Sequence, residues 1–338
     1  MYSFKYDYSE LGHRKFFNDF LKISNRQQEG YGLDSTSFEA KELIKKRFAL
    51  ENSSDIHFLS GGTQTNLIFI NSVLRPVEAV IAADSGHIFV NETGAIEHNG
   101  NKILTAPNKD GKIIPSDIEE ILMAHYNEHT VKPKLVFISQ STEKGTVYKK
   151  EELKNLFDMC KKNALYLYID GARLGAALTS EGMNVKPEDI GKLCDAFYIG
   201  GTKNGSPIGE ALCIINENLR KDFRHYLKQH GALLAKGALA GSCFKTFFED
   251  GLFFELAGFS NKMAQKLAKA FVKKGYQMSC DSPTNQIFPV LSDKKIDELK
   301  KCFDFYVWKK IDRENSVIRL VCSWATEENE VDKLIAML

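Results

Sequence analysis

The chain has 338 residues, 43% of them apolar and 26% charged, with 45 basic side chains against 44 acidic ones. An ordinary apolar fraction excludes wholesale disorder, and a formal charge of +1 leaves no surplus for nucleic acid or an anionic membrane to recognise. This length suggests about two domains of roughly 150 residues each, with a core that needs neither disulfides nor metal.

The N-terminal stretch MYSFKYDYSELGHRK is aromatic and charged and lacks the apolar segment of a signal peptide. No apolar run approaches the roughly 18 residues of a membrane span. The seven cysteines (160, 194, 213, 243, 280, 302 and 322) contain no CxxC, and most sit among apolar neighbours, as in LCDAF and ALCII, where buried inert thiols are expected. The expectation is a soluble cytoplasmic protein in which the sequons at Asn52 and Asn91 are accidental.

In chain order, residues 36–50 read as a helix opened by a Thr36-x-x-Glu39 capping box. A strand, IHFLS, follows, then SGGT and a helical NLIFINSVL. VEAVIAA is the next strand and leads through DSGH to a further helix-like segment. ILTA and a helix opened by a Ser116-x-x-Glu119 box continue the alternation. KLVFIS, ALYLYI and CDAFYIG are short apolar runs without polar alternation, as expected of strands covered on both faces of a parallel sheet. From about residue 246 the rhythm changes. Met263, Leu267 and Phe271 recur every four positions on a helix near 253–274, and NQIFPVL, KIDELKKCF, FYVWKKI, VIRLVC and a closing helix follow. The expected architecture is α/β: an N-terminal arm (1–22), a large domain (23–245) with a mainly parallel sheet flanked by helices, and a small α+β domain (246–338).

In an open α/β sheet, ligands sit beyond the carboxyl ends of the strands. IHFLS runs through Ser60, Gly61, Gly62 and Thr63 into a helix, which suits a phosphate on exposed amides and equally suits a capped turn. ALYLYI ends in Asp170-Gly171-Ala172-Arg173, where the carboxylate could hold a protonated ring nitrogen or simply open a turn. CDAFYIG leads to Gly201-Thr202-Lys203-Asn204-Gly205, whose lysine could form a Schiff base if its pKa were lowered. His87 in DSGH could stack on a planar cofactor or handle a proton. Arg319, a charge inside the apolar VIRLVC, requires a partner, and a substrate carboxylate is one. Together these describe the needs of pyridoxal 5′-phosphate, with no metal site.

At these residues the sequence resembles the L-threonine aldolases, pyridoxal-phosphate enzymes of the aspartate aminotransferase-like fold (fold type I). Tyr31-Gly32-x-Asp34 is similar to an early YGxD, Ser60 through Asn66 to a phosphate-binding SGTxxN, and Asp84 through Ala95 to DSHIFxxExGA with one glycine inserted. Ile169 through Arg173 carries DGAR, Lys203 stands where the family has its Schiff-base lysine in SKG, Pro207-x-Gly209 follows as PxG, and Ile318 through Val321 carries IRLV. The resemblance implies that Lys203 holds the cofactor and Asp170 its ring nitrogen. It also implies that His87 stacks on the ring, while Arg173 and Arg319 hold the substrate carboxylate. His87 is then the first candidate to take the hydroxyl proton. The expected reaction is cleavage of L-threonine or a related β-hydroxy-α-amino acid to glycine and an aldehyde, with another fold type I lyase, an aminotransferase or a non-catalytic homologue as alternatives. A homodimer or homotetramer is implied, with Tyr31 contributing across subunits. Two departures stand out. Lys5-Tyr6-Asp7-Tyr8 occupies the place of RSDT, and the stretch read as Ser139-Gln140-Ser141-Thr142 occupies that of ENTH, leaving Thr142 nearest the missing histidine.

Overall fold

Seven short strands form the central sheet of the computed structural model, which describes residues 1–108 and 110–338. Their order across the sheet is Asp55–Leu59, Glu210–Ile214, Ala196–Gly200, Tyr166–Asp170, Lys132–Ser139, Glu78–Ala83 and Lys102–Ala106. Successive residues enter opposite cores. Ala79 and Ile81 join one hydrophobic cluster while Val80 and Ala82 join the other, and Val136 and Leu135 divide in the same way. Both faces are dry, which is why these strands read as unbroken apolar runs rather than alternating ones.

Only Glu210–Ile214 opposes its neighbours, pairing antiparallel with Ala196–Gly200 on one side and Asp55–Leu59 on the other. It follows Gly200 too soon for a parallel crossover, which takes about a dozen residues or more, so the chain turns straight back. The other six strands run the same way, and their carboxyl ends share one edge.

The helices differ from expectation mainly at their starts. Helix Ser35–Phe48 begins one residue early, because Asp34 is the cap: its carboxylate accepts from Ser37 N at 2.7 Å and Ser37 Oγ at 2.8 Å. Thr36 lies inside the first turn, and Glu39 pairs with Lys245 at 2.5 Å. Helix Pro115–Ala124 likewise starts at its proline, whose fixed φ and missing N–H suit the first helical position. Asp117 then accepts from Ile114 N at 2.8 Å, so Ser116 caps nothing. The segment after DSGH forms two single turns, His87–Val90 and Ala95–His98, separated where Thr93 and Gly94 take positive φ values of 52° and 71°.

Helix Leu252–Lys273 joins the two parts of the molecule. Its first turns put Leu252, Phe253 and Leu256 into the cluster of the large sheet, and Met263, Leu267 and Phe271 enter a third cluster. That third core covers an antiparallel sheet in which Asn315–Val321 pairs with Val290–Ser292, Tyr306–Lys310 and Gln286–Ile287. The N-terminus returns to it. Tyr2–Ser3 pairs parallel with Phe303–Asp304, Phe4 is fully buried there, and Phe4 O accepts from Val321 N at 2.8 Å. Five of the seven cysteines are buried and none is bridged, while Cys302 is exposed.

Candidate active site

The shared strand edge gathers most of the expected residues around one cavity of two connected lobes, about 430 and 300 Å³, with His87, Glu143, Arg173 and Lys203 facing both. Gly62, Thr63 and Asp170 line the inner lobe, and Arg319 lines the outer one.

Strand Tyr166–Asp170 delivers Asp170 to the edge almost fully buried. Its Oδ1 accepts from Ala172 N at 2.9 Å and its Oδ2 from Asn66 Nδ2 at 2.9 Å, so the carboxylate is held in one orientation. Asn66, on helix Gly62–Val73, also donates to Glu92 Oε1 at 2.8 Å and accepts from the Tyr168 hydroxyl at 3.1 Å. Glu92 Oε1 in turn lies 2.8 Å from His87 Nδ1. A continuous chain therefore links Asp170 to the ring of His87 through two residues that the sequence motifs did not single out for it. Glu92 Oε2 is buried without a partner.

Helix Gly62–Val73 starts at the cavity with no side-chain cap on its free amides, an arrangement that attracts an anion. Gly62 allows this close approach, since a Cβ there would meet the Tyr198 hydroxyl at 2.9 Å. Gly61 stands one residue back as the extended N-cap.

Lys203 lies on the short 3-10 turn Thr202–Asn204 just past strand Ala196–Gly200. Burial, with the Arg173 guanidinium beside it, pushes its ammonium below the usual lysine range, as a nucleophilic amine requires. The turn is fixed by Asn204 Nδ2 donating to Phe253 O at 2.8 Å and by Glu210, which accepts from Gly201 N at 2.8 Å and Thr202 Oγ1 at 2.5 Å. Burial raises the Glu210 carboxyl to about 7 despite these donors.

Arg173 is already partnered. Its Nε and Nη2 donate to the two oxygens of Asp7 at 2.7 and 3.0 Å, and Asn285 Nδ2 donates to Asp7 Oδ2 at 2.9 Å. Asp7 is fully buried. Burial alone would raise its carboxyl, but the Arg173 charge and hydrogen bonds outweigh that and hold it below the usual range. The arm thus inserts a carboxylate between Arg173 and the C-terminal part, a role the KYDY stretch did not suggest. Arg319 is the less satisfied cation. Its guanidinium lies 4.9 Å from the Tyr306 ring and 4.8 Å from that of Trp308, while its Nε is buried with no hydrogen-bond partner. Burial, then the neighbouring Arg173, holds its pKa below the ordinary arginine value.

Two expected residues are not brought to this cavity. Thr142 is fully buried, its Oγ1 2.7 Å from that of Thr146 within a tight turn. The four residues after KLVFIS are Gln140 through Glu143, so the fourth place of ENTH falls on Glu143, one residue beyond the stretch read from the sequence. Tyr31 lies elsewhere on the surface beside Lys41, His57 and Arg224, with Lys228 Nζ 4.9 Å from its ring centre.

The Beta-eliminating lyase family model matches residues 24–294. A low specificity L-threonine aldolase from Pseudomonas sp. (strain NCIMB 10558) is 31% identical over 319 residues, 93% of this chain and 90% of that protein. The one from Pseudomonas aeruginosa is 30% identical over 92% of this chain and 90% of its own length. The solved structure of a Leishmania major threonine aldolase superposes with a TM-score of 0.98 at 46% identity, covering 99% of this chain and 98% of its own. A Thermus thermophilus aspartate aminotransferase, 14% identical with a TM-score of 0.73 over 99% of this chain and 90% of its own, shares the fold. The chain belongs to the beta-eliminating lyase family and, within it, to the threonine aldolases of the aspartate aminotransferase-like fold.

Proposed function

We propose that this protein binds pyridoxal 5′-phosphate at Lys203 and cleaves L-threonine and related β-hydroxy-α-amino acids into glycine and an aldehyde. One observation carries the reading. A buried lysine with a depressed pKa, an anchored carboxylate and an arginine with an orphaned Nε face one cavity from three separate elements. The residues fit the cofactor. The uncapped start of helix Gly62–Val73, with Gly62 and Thr63, suits its phosphate, Asp170 suits its ring nitrogen, and His87 suits its ring face. When bound, the cofactor supplies the electron sink for the pair released as the Cα–Cβ bond breaks.

The protein's own part is binding and orientation. Arg319 takes the substrate carboxylate, with Arg173 beside it and held there by Asp7, and a fixed carboxylate sets which bond at Cα is presented for cleavage. Asn66 and Glu92 keep Asp170 and His87 in register. The antiparallel strand Asn315–Val321 contributes Arg319, so the site is completed from both parts of the chain. We place the protein in the cytoplasm as a homodimer or homotetramer, with Tyr31 serving the site of a second subunit. A light-scattering mass of one chain would count against that assembly.

The test is direct. The purified protein should show the visible absorbance of lysine-bound pyridoxal phosphate and release glycine with an aldehyde from L-threonine, and Lys203→Ala should lose both. Retention of the band in Lys203→Ala removes the cofactor assignment, and formation of a keto acid with ammonia replaces aldol cleavage by elimination.

A further inference from the structure

Aldol cleavage needs a group to take the proton from the substrate's β-hydroxyl. The expected taker, His87, holds Glu92 through Nδ1 and suits the cofactor with its ring face, so Nε2 is the atom on which it would accept a proton. A second acceptor stands beside it. Glu143 follows strand Lys132–Ser139, faces both lobes of the cavity and occupies the fourth place after KLVFIS. Its Oε1 accepts from Ser139 Oγ at 2.7 Å and from the backbone N–H of His87 at 3.0 Å, so the carboxylate is locked in place next to the histidine. Both of these bonds fall on Oε1.

Resting on the aldolase reading above, we propose that Glu143 is the catalytic base that accepts the β-hydroxyl proton. As the O–H bond breaks, its pair forms the aldehyde C=O and the proton passes to Glu143. The Cα–Cβ pair stays on the amino-acid carbon, for which the cofactor, when bound, would supply the electron sink. Glu143 gives its proton to solvent and Cα takes one back to complete glycine, so the balance needs no oxidant or reductant. The surroundings strengthen it as a base. Burial raises the Glu143 carboxyl and the Asp170 charge adds to this, while Ser139, its backbone donor and the His87 charge oppose it. Arg173, Lys203 and Arg319 face the same cavity, and the Tyr148 hydroxyl is close enough to feel the carboxylate. A carboxylate raised above its ordinary range is a stronger proton acceptor than a free one, as general-base catalysis favours.

The experiment compares the cofactor-loaded wild type with Glu143→Gln and Glu143→His. The expected result for Glu143→Gln is a fall of about 10²–10⁴-fold in kcat for L-threonine cleavage, the range of general acid–base catalysis. Its visible cofactor band and its affinity for glycine, which has no hydroxyl, should stay within about twofold, as expected when only the proton acceptor is lost. Glu143→His should restore much of the rate, and the acidic limb of the wild-type kcat/KM profile should vanish in Glu143→Gln. The proposal is overturned if Glu143→Gln cleaves threonine within about threefold of the wild type, or if glycine affinity and cleavage fall together, which would make Glu143 structural. If the wild type itself releases no glycine from any β-hydroxy amino acid, the aldolase reading falls and this one with it.

Discussion

Glu210 offers a stringent check on the electrostatics of the site. It is 2% exposed, and burial lifts its carboxyl from the ordinary 4.5 to about 7. Lys203 lowers that value and Asp170 raises it, while Gly201 N and Thr202 Oγ1 donate to its two oxygens. Tyr198 and Tyr168, both fully buried with pKa values pushed well up, stay neutral beside it.

The sign follows from linkage. Below pH 4.5 the folded and unfolded chains both hold this proton, and its contribution to stability is fully present. Between 4.5 and 7 the unfolded chain releases the proton while the folded chain keeps it, so stability falls as pH rises until the folded carboxyl also ionises. At 1.36 kcal/mol per pKa unit the whole effect is about 3 kcal/mol, of which about 2–3 kcal/mol is lost between pH 5 and pH 8. Glu210→Gln keeps the size and mimics the protonated acid, so it should gain about 2–3 kcal/mol relative to wild type across that interval. Paired urea unfolding curves at pH 5, 6, 7 and 8 measure this difference, in which the other titrating groups cancel. A difference that stays flat within about 0.5 kcal/mol would refute the reasoning, because Glu210 would then be ionised throughout.

Three further substitutions follow from the packing. Asp7→Ala strips the partner from buried Arg173 and should cost about 3–5 kcal/mol in urea unfolding; it should also lower the Lys203 pKa further, since the Asp7 charge supports the lysine's ammonium. In Gly171→Ala the new Cβ would lie 1.8 Å from the Tyr198 carbonyl oxygen, forcing two strands apart, and a loss of about 1–3 kcal/mol or more is expected. By contrast Gly258→Ala, in helix Leu252–Lys273 with nothing closer than 4.0 Å, should be neutral or stabilising by up to about 1 kcal/mol.

Much of the site was legible because each group lies just past an apolar run, and parallel strands bring such places to one edge. Gly62, Thr63, His87, Asp170 and Lys203, read this way, line the cavity, as does Arg319, read as a charge within an apolar strand. What escaped were the partners. Asn66 is 104 residues from Asp170 and 26 from Glu92, and Asp7 is 166 residues from Arg173. No local spacing encodes such pairs. Glu143 did carry a signal, its fourth place after KLVFIS, directly beside Thr142. The helix starts at Asp34 and Pro115 were missed because several Ser, Thr and Asp residues crowd each start, and only the hydrogen bonds decide which one caps.

A near-neutral chain of this length, with dry strands alternating with helices, already determined the α/β fold and which side chains stand at the strand ends. Periodicity reports burial, and strand direction then dictates where loops converge. The tertiary structure decided which charges are free to act. Arg173 and Arg319 look alike in sequence, yet Asp7 occupies the first while the second keeps an unpaired Nε. Likewise Thr142 turns inward and Glu143 faces the cavity. In a dry interior each polar group is either satisfied or left open to a ligand, and that distinction depends on neighbours far away along the chain.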